Sequence, residues 1–186
     1  LYTERDAAEG PPKVEAARRR LLEIDSSLDI RALAIDCSPR TARSLLETKP
    51  DVILDGTDNY ETRYLLNDLA IESGIPLAYA GAVSTRTMQM TVLPRETACI
   101  RCVFPEPPPA DARETCDTVG VLGPAVGVAG SLMAAEAIKI LLGRTDLLRG
   151  SLARVDVLSG EMSITDLADA RDPECPCCAI RRFDWL

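Results

Sequence analysis

The sequence predicts an α/β fold built on a largely parallel sheet. Three observations carry that reading. Short apolar runs rich in β-branched residues alternate with helical patterns, at the spacing of strand–helix–strand units. The run 52–54, Val-Ile-Leu, has the uninterrupted apolar character of a strand covered on both faces. A long apolar segment of small residues, 127–142, reads as a further helix.

The elements follow in order. Pro11-Pro12 precede a helical pattern over 13–24, with Ala16, Ala17, Leu21 and Ile24 as its apolar stripe. Residues 30–35 alternate as a strand, and 41–46 read as a short helix stopped before Lys49-Pro50. After strand 52–54, Asp58-Asn59 offer N-cap chemistry to a helix over 61–73 that Gly74 closes. Strand 76–80 runs into Gly81-Ala82-Val83, and 88–93 is a further strand. Residues 95–117 form a proline-rich insertion. Helix 127–142 ends at Gly143, and strands 152–158 and 162–167 form a small antiparallel C-terminal part. There is no internal repeat, and one domain over 1–186 is expected.

Composition excludes several functions. The chain has 186 residues, 46% hydrophobic, enough for a substantial core. The net charge of −8 argues against nucleic acid as the main ligand. Arg18-Arg19-Arg20 reads as a solvated helix face. With no histidine, imidazole catalysis and the Ser-His-Asp triad are excluded from this chain. No uncharged apolar run of about 18 residues and no charged leader before an apolar stretch is visible. Unpaired thiols without a leader lead us to expect the cytoplasm. The sequence opens on Leu1, and residues 1–10 read as the middle of something longer, so N-terminal material is expected to be missing.

Cys99-Ile100-Arg101-Cys102 and Cys175-Pro176-Cys177-Cys178 each place thiols three positions apart. One tight turn with that spacing presents two sulfurs to one tetrahedral ion, and two such turns make a closed structural zinc site. Reduced thiols without metal and disulfides are the alternatives. The spacing favours Cys175 and Cys178, with Cys177 spare, although Cys177 competes for the place of Cys178. Asp55 and Asp58, three apart after a strand, suit Mg²⁺ held against a triphosphate. Arg63, one turn into the next helix, and Lys13, at the start of another, suit phosphate. Spacing alone favours ordinary roles: Asp58 as a cap, Asp55 in a turn, Arg63 and Lys13 on the surface.

Asp55-Gly56-Thr57-Asp58-Asn59 with Arg63 and Asn67 resembles the D-x-x-D-N-x-x-x-R-x-x-x-N motif of the MoeB/ThiF adenylyltransferases, relatives of the ubiquitin-activating enzymes. Gly81-Ala82-Val83 resembles that family's glycine-containing strand end, and the two cysteine pairs resemble its zinc knuckles. Gly120-Val121-Leu122-Gly123-Pro124, continuing to Glu136-Ala137-Ile138-Lys139, is similar to its glycine-rich helix. The resemblance spans essentially the whole chain in the right order.

It implies a partial Rossmann-like, mostly parallel sheet with helices on both faces, the C-terminal portion of a ThiF-type adenylation domain. It implies ATP and Mg²⁺, and a ubiquitin-like sulfur carrier whose C-terminal Gly-Gly carboxylate becomes an acyl-adenylate. Asp58 would be the essential carboxylate, Lys13 the phosphate-contacting lysine, and Asn59 and Arg63 further nucleotide contacts. Cys99, Cys102, Cys175 and Cys178 would hold a structural Zn²⁺. Cys116 matches a cysteine that links to the carrier in some members. A helix N-terminus nearby would favour its thiolate, but a small buried loop residue is an equal reading. Cys37 reads as a buried strand-end residue.

The family's N-terminal strand, glycine-rich turn and helix, with an acidic ribose contact and an Asn/Arg pair, are not in the sequence. About half of the adenylation site is therefore expected here, inactive alone. The sheet is expected to lack a strand or two and to expose an edge, which a homodimer would cover. A zinc-stabilised scaffold or binding module without catalysis is the alternative. A nicotinamide dehydrogenase fits the cysteine pairs and the Asp-x-x-Asp-Asn run poorly. Thiamine and molybdopterin pathways both stay open.

Overall fold

One pair of adjacent strands is joined by a single helix that carries the chain back to the same end of the sheet. In the computed structural model, which describes residues 3–109, 111, 113–148 and 150–186, that pair is the one parallel ladder among the described residues. The opening residue Leu1, and Ala110 and Ala112 of the proline-rich insertion, lie outside the described residues. The chain divides into two compact units, Leu1–Cys37 and Ser38–Leu186.

In the first unit, α1 (Glu4–Glu9) is closed by a capping box between Thr3 and Asp6 and by left-handed Gly10. Helix α2 (Lys13–Ile24) follows Pro12 with the expected boundaries. Arg19 pairs with Asp6, Arg20 with Glu23, and Arg18 donates to the Ile30 carbonyl, so the arginine triple is an exposed face with partners of its own. The strand expected over 30–35 does not form. No ladder partner meets it among the described residues, and Leu33 and Ile35 stay exposed. Cys37 is only partly buried.

In the second unit, α3 (Ala42–Leu45) precedes β1 (Ile53–Asp55), α4 (Tyr60–Ser73) and β2 (Leu77–Val83). Asn59, not Asp58, caps α4: its side chain accepts from the Thr62 N–H, and Gly74 at φ 76° closes the helix. Strand β3 (Arg86–Val92) follows β2 after two residues, Ser84 and Thr85, with Ser84 at φ 55°. A two-residue hairpin can only be antiparallel. After α5 (Ile100–Val103), α6 (Cys116–Val119) and α7 (Gly123–Leu141), β4 (Ser151–Asp156) and β5 (Met162–Asp166) add two more antiparallel neighbours.

The sheet order is β1-β2-β3-β4-β5, mixed rather than mostly parallel. The α/β class is as expected. The mostly parallel sheet is corrected, because β2 to β3 and β4 to β5 are joined by turns rather than helices.

Helices cover both faces. Leu77, Tyr79, Met90, Val92 and Leu152 form a core with Ala70 and Ile71 of α4 and with the cysteine turns. On the opposite face α7 packs on β2 and β3. There Ala125, Ala129 and Ala137 are buried, and the Thr91 hydroxyl donates to buried Glu136 at 3.2 Å. Helix α7 has the length and apolarity of a membrane span. Its small residues and Glu136 instead serve its contact with the sheet.

Candidate functional site

A cavity of about 600 Å³ lies over the carboxyl end of β2. Ligands of α/β sheets collect at such strand ends. Its near wall comes from α4, β2 and β3, and includes Asp58, Tyr60, Arg63, Tyr79, Gly81 and Met88. Its far wall comes from the 104–116 segment and from β4 and β5, and includes Glu114, Cys116, Arg154, Asp156 and Ser163.

Two expected residues, Asp58 and Cys116, therefore meet on one cavity although 58 positions apart in the numbering. Cys116 arrives there because Ser84, in the β2–β3 turn, binds the loop before α7. Its N–H donates to the Gly120 carbonyl at 2.9 Å, and its carbonyl accepts from Leu122 at 2.8 Å. The Cys116 thiol donates to the Ala82 carbonyl at 3.5 Å.

Asp55 and Asn59 do not line the cavity. Asp55 is fully buried; its Oδ1 accepts from the Thr57 N–H at 2.9 Å and hydroxyl at 2.7 Å. Its Oδ2 has no hydrogen bond and lies 3.8 Å from Nε of Arg63. Burial pushes its carboxyl above the usual range, against the pull of the Thr57 bonds and the Arg63 charge. Asn59 is the α4 cap, and its Nδ2 donates to Oδ1 of Asp58 at 3.4 Å.

Arg63 is held from several sides. Its Nη2 donates to the Thr57 carbonyl at 2.7 Å, and its guanidinium lies 4.7 Å from the Tyr79 ring centre. Gly81 leaves the space for this. A Cβ there would stand 2.8 Å from the Tyr79 hydroxyl and 3.3 Å from Nη2 of Arg63. Burial raises the Tyr79 hydroxyl pKa, so the ring faces the cavity as a neutral donor. Lys13 opens α2 in the first unit.

The 104–116 segment is tied down by charge. Arg113 donates to Glu61 at 2.7 Å and to the Pro108 carbonyl at 2.7 Å, and its guanidinium lies 5.5 Å from the Tyr60 ring centre. Arg86 pairs with Glu114 at 2.5 Å. The Tyr64 hydroxyl donates to the Phe104 carbonyl at 2.8 Å.

The cysteines form a second centre. Sγ of Cys99 lies 3.8 Å from Cys102 and 3.6 Å from Cys175, and Cys102 lies 3.4 Å from Cys178. All four sulfurs fall within 4.8 Å of one another. A tetrahedron of Zn–S bonds near 2.3 Å has edges of about 3.8 Å, so this donor set could hold a metal ion. Burial and then the Cys102 contact push the Cys178 thiol up to about 12. Neutral thiols are what such crowding enforces without a cation.

Cys177 is buried outside that set and accepts a hydrogen bond from Nδ2 of Asn67 at 3.3 Å. Oδ1 of Asn67 accepts from the Ile100 N–H at 2.9 Å. Asn67, matched above within a nucleotide motif, thus serves the cysteine turns. Arg101 lies 3.4 Å from buried Asp68 and 2.9 Å from Asp184, fastening the same turns to α4.

Residues 1–177 match the ThiF family. The chain belongs to the ThiF family. Among relatives of this ThiF-family chain, a sulfur carrier protein ThiS adenylyltransferase of Bacillus subtilis is 35% identical over all of this chain and 54% of its own length. A sulfur carrier protein adenylyltransferase of Thermus thermophilus is 39% identical over 96% of this chain and 66% of its own length. The crystal structure of MccB from E. coli superposes with a TM-score of 0.76 at 20% identity, over 97% of this chain and 53% of that one. That likeness shows the fold. This ThiF-family chain spans about half to two thirds of the length of these relatives.

The sequence reading missed Tyr79, Arg86, Arg154 and Asp156 as cavity residues. Tyr79 carried a signal: it stands two before Gly81, on the same face of one strand.

Proposed function

We propose that this chain forms part of the site at which a longer ThiF-family protein adenylates the C-terminal glycine carboxylate of a ubiquitin-like sulfur carrier. The observation that supports it most is the convergence of Asp58, Arg63 and Cys116 around one cavity at a strand end. ATP is the co-substrate. A carboxylate oxygen of the carrier attacks the α-phosphorus, a new C–O–P linkage forms, and the bond to pyrophosphate breaks. Bound Mg²⁺ neutralises phosphate charge, and Asp58 is the group that would hold it. The protein's work is positioning and charge stabilisation.

Arg63, fixed by Tyr79 and Thr57, faces the developing phosphate charge. Asp55 and Asn59 act one step back: Asp55 holds the Thr57 turn and Asn59 steadies Asp58. Lys13 contacts phosphate. Cys116 is the point at which the activated carrier becomes linked, its sulfur attacking the acyl-adenylate carbonyl as the bond to AMP breaks and AMP leaves. Cys99, Cys102, Cys175 and Cys178 hold a structural Zn²⁺ that takes no part in the chemistry. A cytoplasmic homodimer in thiamine or molybdopterin synthesis is the setting this reading implies.

The test is ATP–pyrophosphate exchange by the full-length protein with a panel of carriers ending in Gly-Gly. Exchange with one carrier, abolished by Asp58→Ala with the fold intact, is the expected result. Activity retained in Asp58→Ala removes that residue from the mechanism. No exchange from a folded, zinc-loaded protein favours the scaffold reading.

A further inference from the structure

The cavity floor follows one row of paired residues across the sheet. Gly81 of β2 is opposite Met88 of β3, Met88 is opposite Arg154 of β4, and Arg154 is opposite Ser163 of β5. All four line the cavity. Strands lie about 4.8 Å apart, so the row is roughly 14 Å long. It starts beside Arg63 at Gly81 and runs out at β5, the edge of the sheet.

Three arginines line this cavity, and two have carboxylate partners. Arg63 faces Asp55, and Arg86 is bound to Glu114. Arg154 has none among the described residues; its Nη1 donates a long hydrogen bond, 3.4 Å, to the Thr165 hydroxyl. Its neighbours along and across the strands include Met88 and Val155. Asp156, on the same wall, already accepts from the Leu158 and Ser159 N–H groups and the Thr85 hydroxyl. Glu161 also lines this wall and forms no ion pair among the described residues. An arginine stays charged at any physiological pH, so it presents a standing demand for an anion.

Resting on the adenylation reading above, we propose that Arg154 is a specificity residue that reads a carboxylate side chain at the third or fourth position from the carrier's C-terminus. An extended tail rises about 3.3 Å per residue. With its terminal carboxylate by Gly81 and Asp58, it reaches Arg154, two strand intervals away, after about three residues. The last two residues of such a tail are glycines and offer no side chain. Arg154 therefore stands where the first distinguishing side chain arrives.

The experiment uses the full-length protein and carriers whose third and fourth residues from the end are set to Glu, Gln or Lys, with KM and kcat read by pyrophosphate exchange. The wild type should show a KM about tenfold lower for Glu than for Lys tails, with similar kcat. Arg154→Glu should invert that order. Should Arg154→Glu fail to fold, Arg154→Gln serves, and should erase the difference between Glu and Gln tails. A tail preference that survives either substitution overturns the inference while leaving adenylation standing. Absence of exchange with every carrier removes the adenylation reading, and this inference with it.

Discussion

The Asn67 side-chain amide donates to Sγ of Cys177 at 3.3 Å, so helix α4 grips the second cysteine turn. Through its carbonyl oxygen the same residue holds the first turn at Ile100. Asn67→Ala leaves a buried N–H and a buried sulfur without partners, and should cost about 1–3 kcal/mol in denaturant unfolding. Asn67→Asp keeps the acceptor for Ile100 but turns a negative oxygen toward sulfur. It should lower metal content more than Asn67→Ala does, as read by a colorimetric zinc assay.

The metal assignment separates two neighbouring cysteines. Cys175→Ser should reduce bound zinc and stability together, by about 2–5 kcal/mol. Cys177→Ser, outside the set of four sulfurs, should keep its zinc. Equal zinc loss in both variants would mean that the spare thiol is a ligand.

At Gly81 the side chain must be hydrogen. Gly81→Ala places a methyl group against the Tyr79 hydroxyl and the Arg63 guanidinium. We expect a loss of about 1–3 kcal/mol and, in the full-length protein, a fall in kcat for pyrophosphate exchange. A variant of unchanged stability and rate would show that Arg63 has room to move.

Asp55 gives a pH signature. Burial raises its folded pKa above the ordinary 3.8. Between those two values the folded state holds more protons than the unfolded state. Stability contributed by this group therefore falls as pH rises through that window, and is level above it. Asp55→Asn should remove that decline and leave stability near pH 7 within about 1 kcal/mol of the parent or higher. Urea titrations between pH 4 and 8 would show it; an unaltered pH profile would contradict the buried, charge-penalised carboxylate.

Much of the fold was legible locally. Gly74, Asn59 and the run 52–54 mark their element ends with residues whose own chemistry closes a helix or fills a strand. Sheet direction was not legible from alternation alone. It depended on how each pair of strands is joined: Ser84-Thr85 is a turn with no glycine to advertise it, and β3 and β4 are antiparallel across the whole α5–α7 connection. The strand expected at 30–35 shows the limit of periodicity, since a ladder needs a neighbour. At the site, Asp58 and Cys116, singled out by the family resemblance, both line the cavity, and spacing alone brought the cysteine pairs into one cluster. It could not distinguish Asp55, turned into the core, from Asp58, turned to the cavity. Nor could it show Asn67 leaving the nucleotide motif for the cysteine turns, because one helix turn separates residues that face different neighbours.

The sulfur cluster ties residue 99 to residue 175. A metal there converts the intervening 76 positions into a closed ring. Ring closure over that length restricts the unfolded chain by about 4–5 kcal/mol in the chain-entropy account. The near wall of the cavity, from Asp58 to Met88, precedes the ring. The far wall, from the 104–116 segment to Ser163, lies wholly within it. Stripping the metal should therefore loosen one jaw of the cavity and spare the other. On the adenylation reading proposed above, a chelator applied in increments should then erode the grip on a bound polypeptide before it erodes the handling of nucleotide.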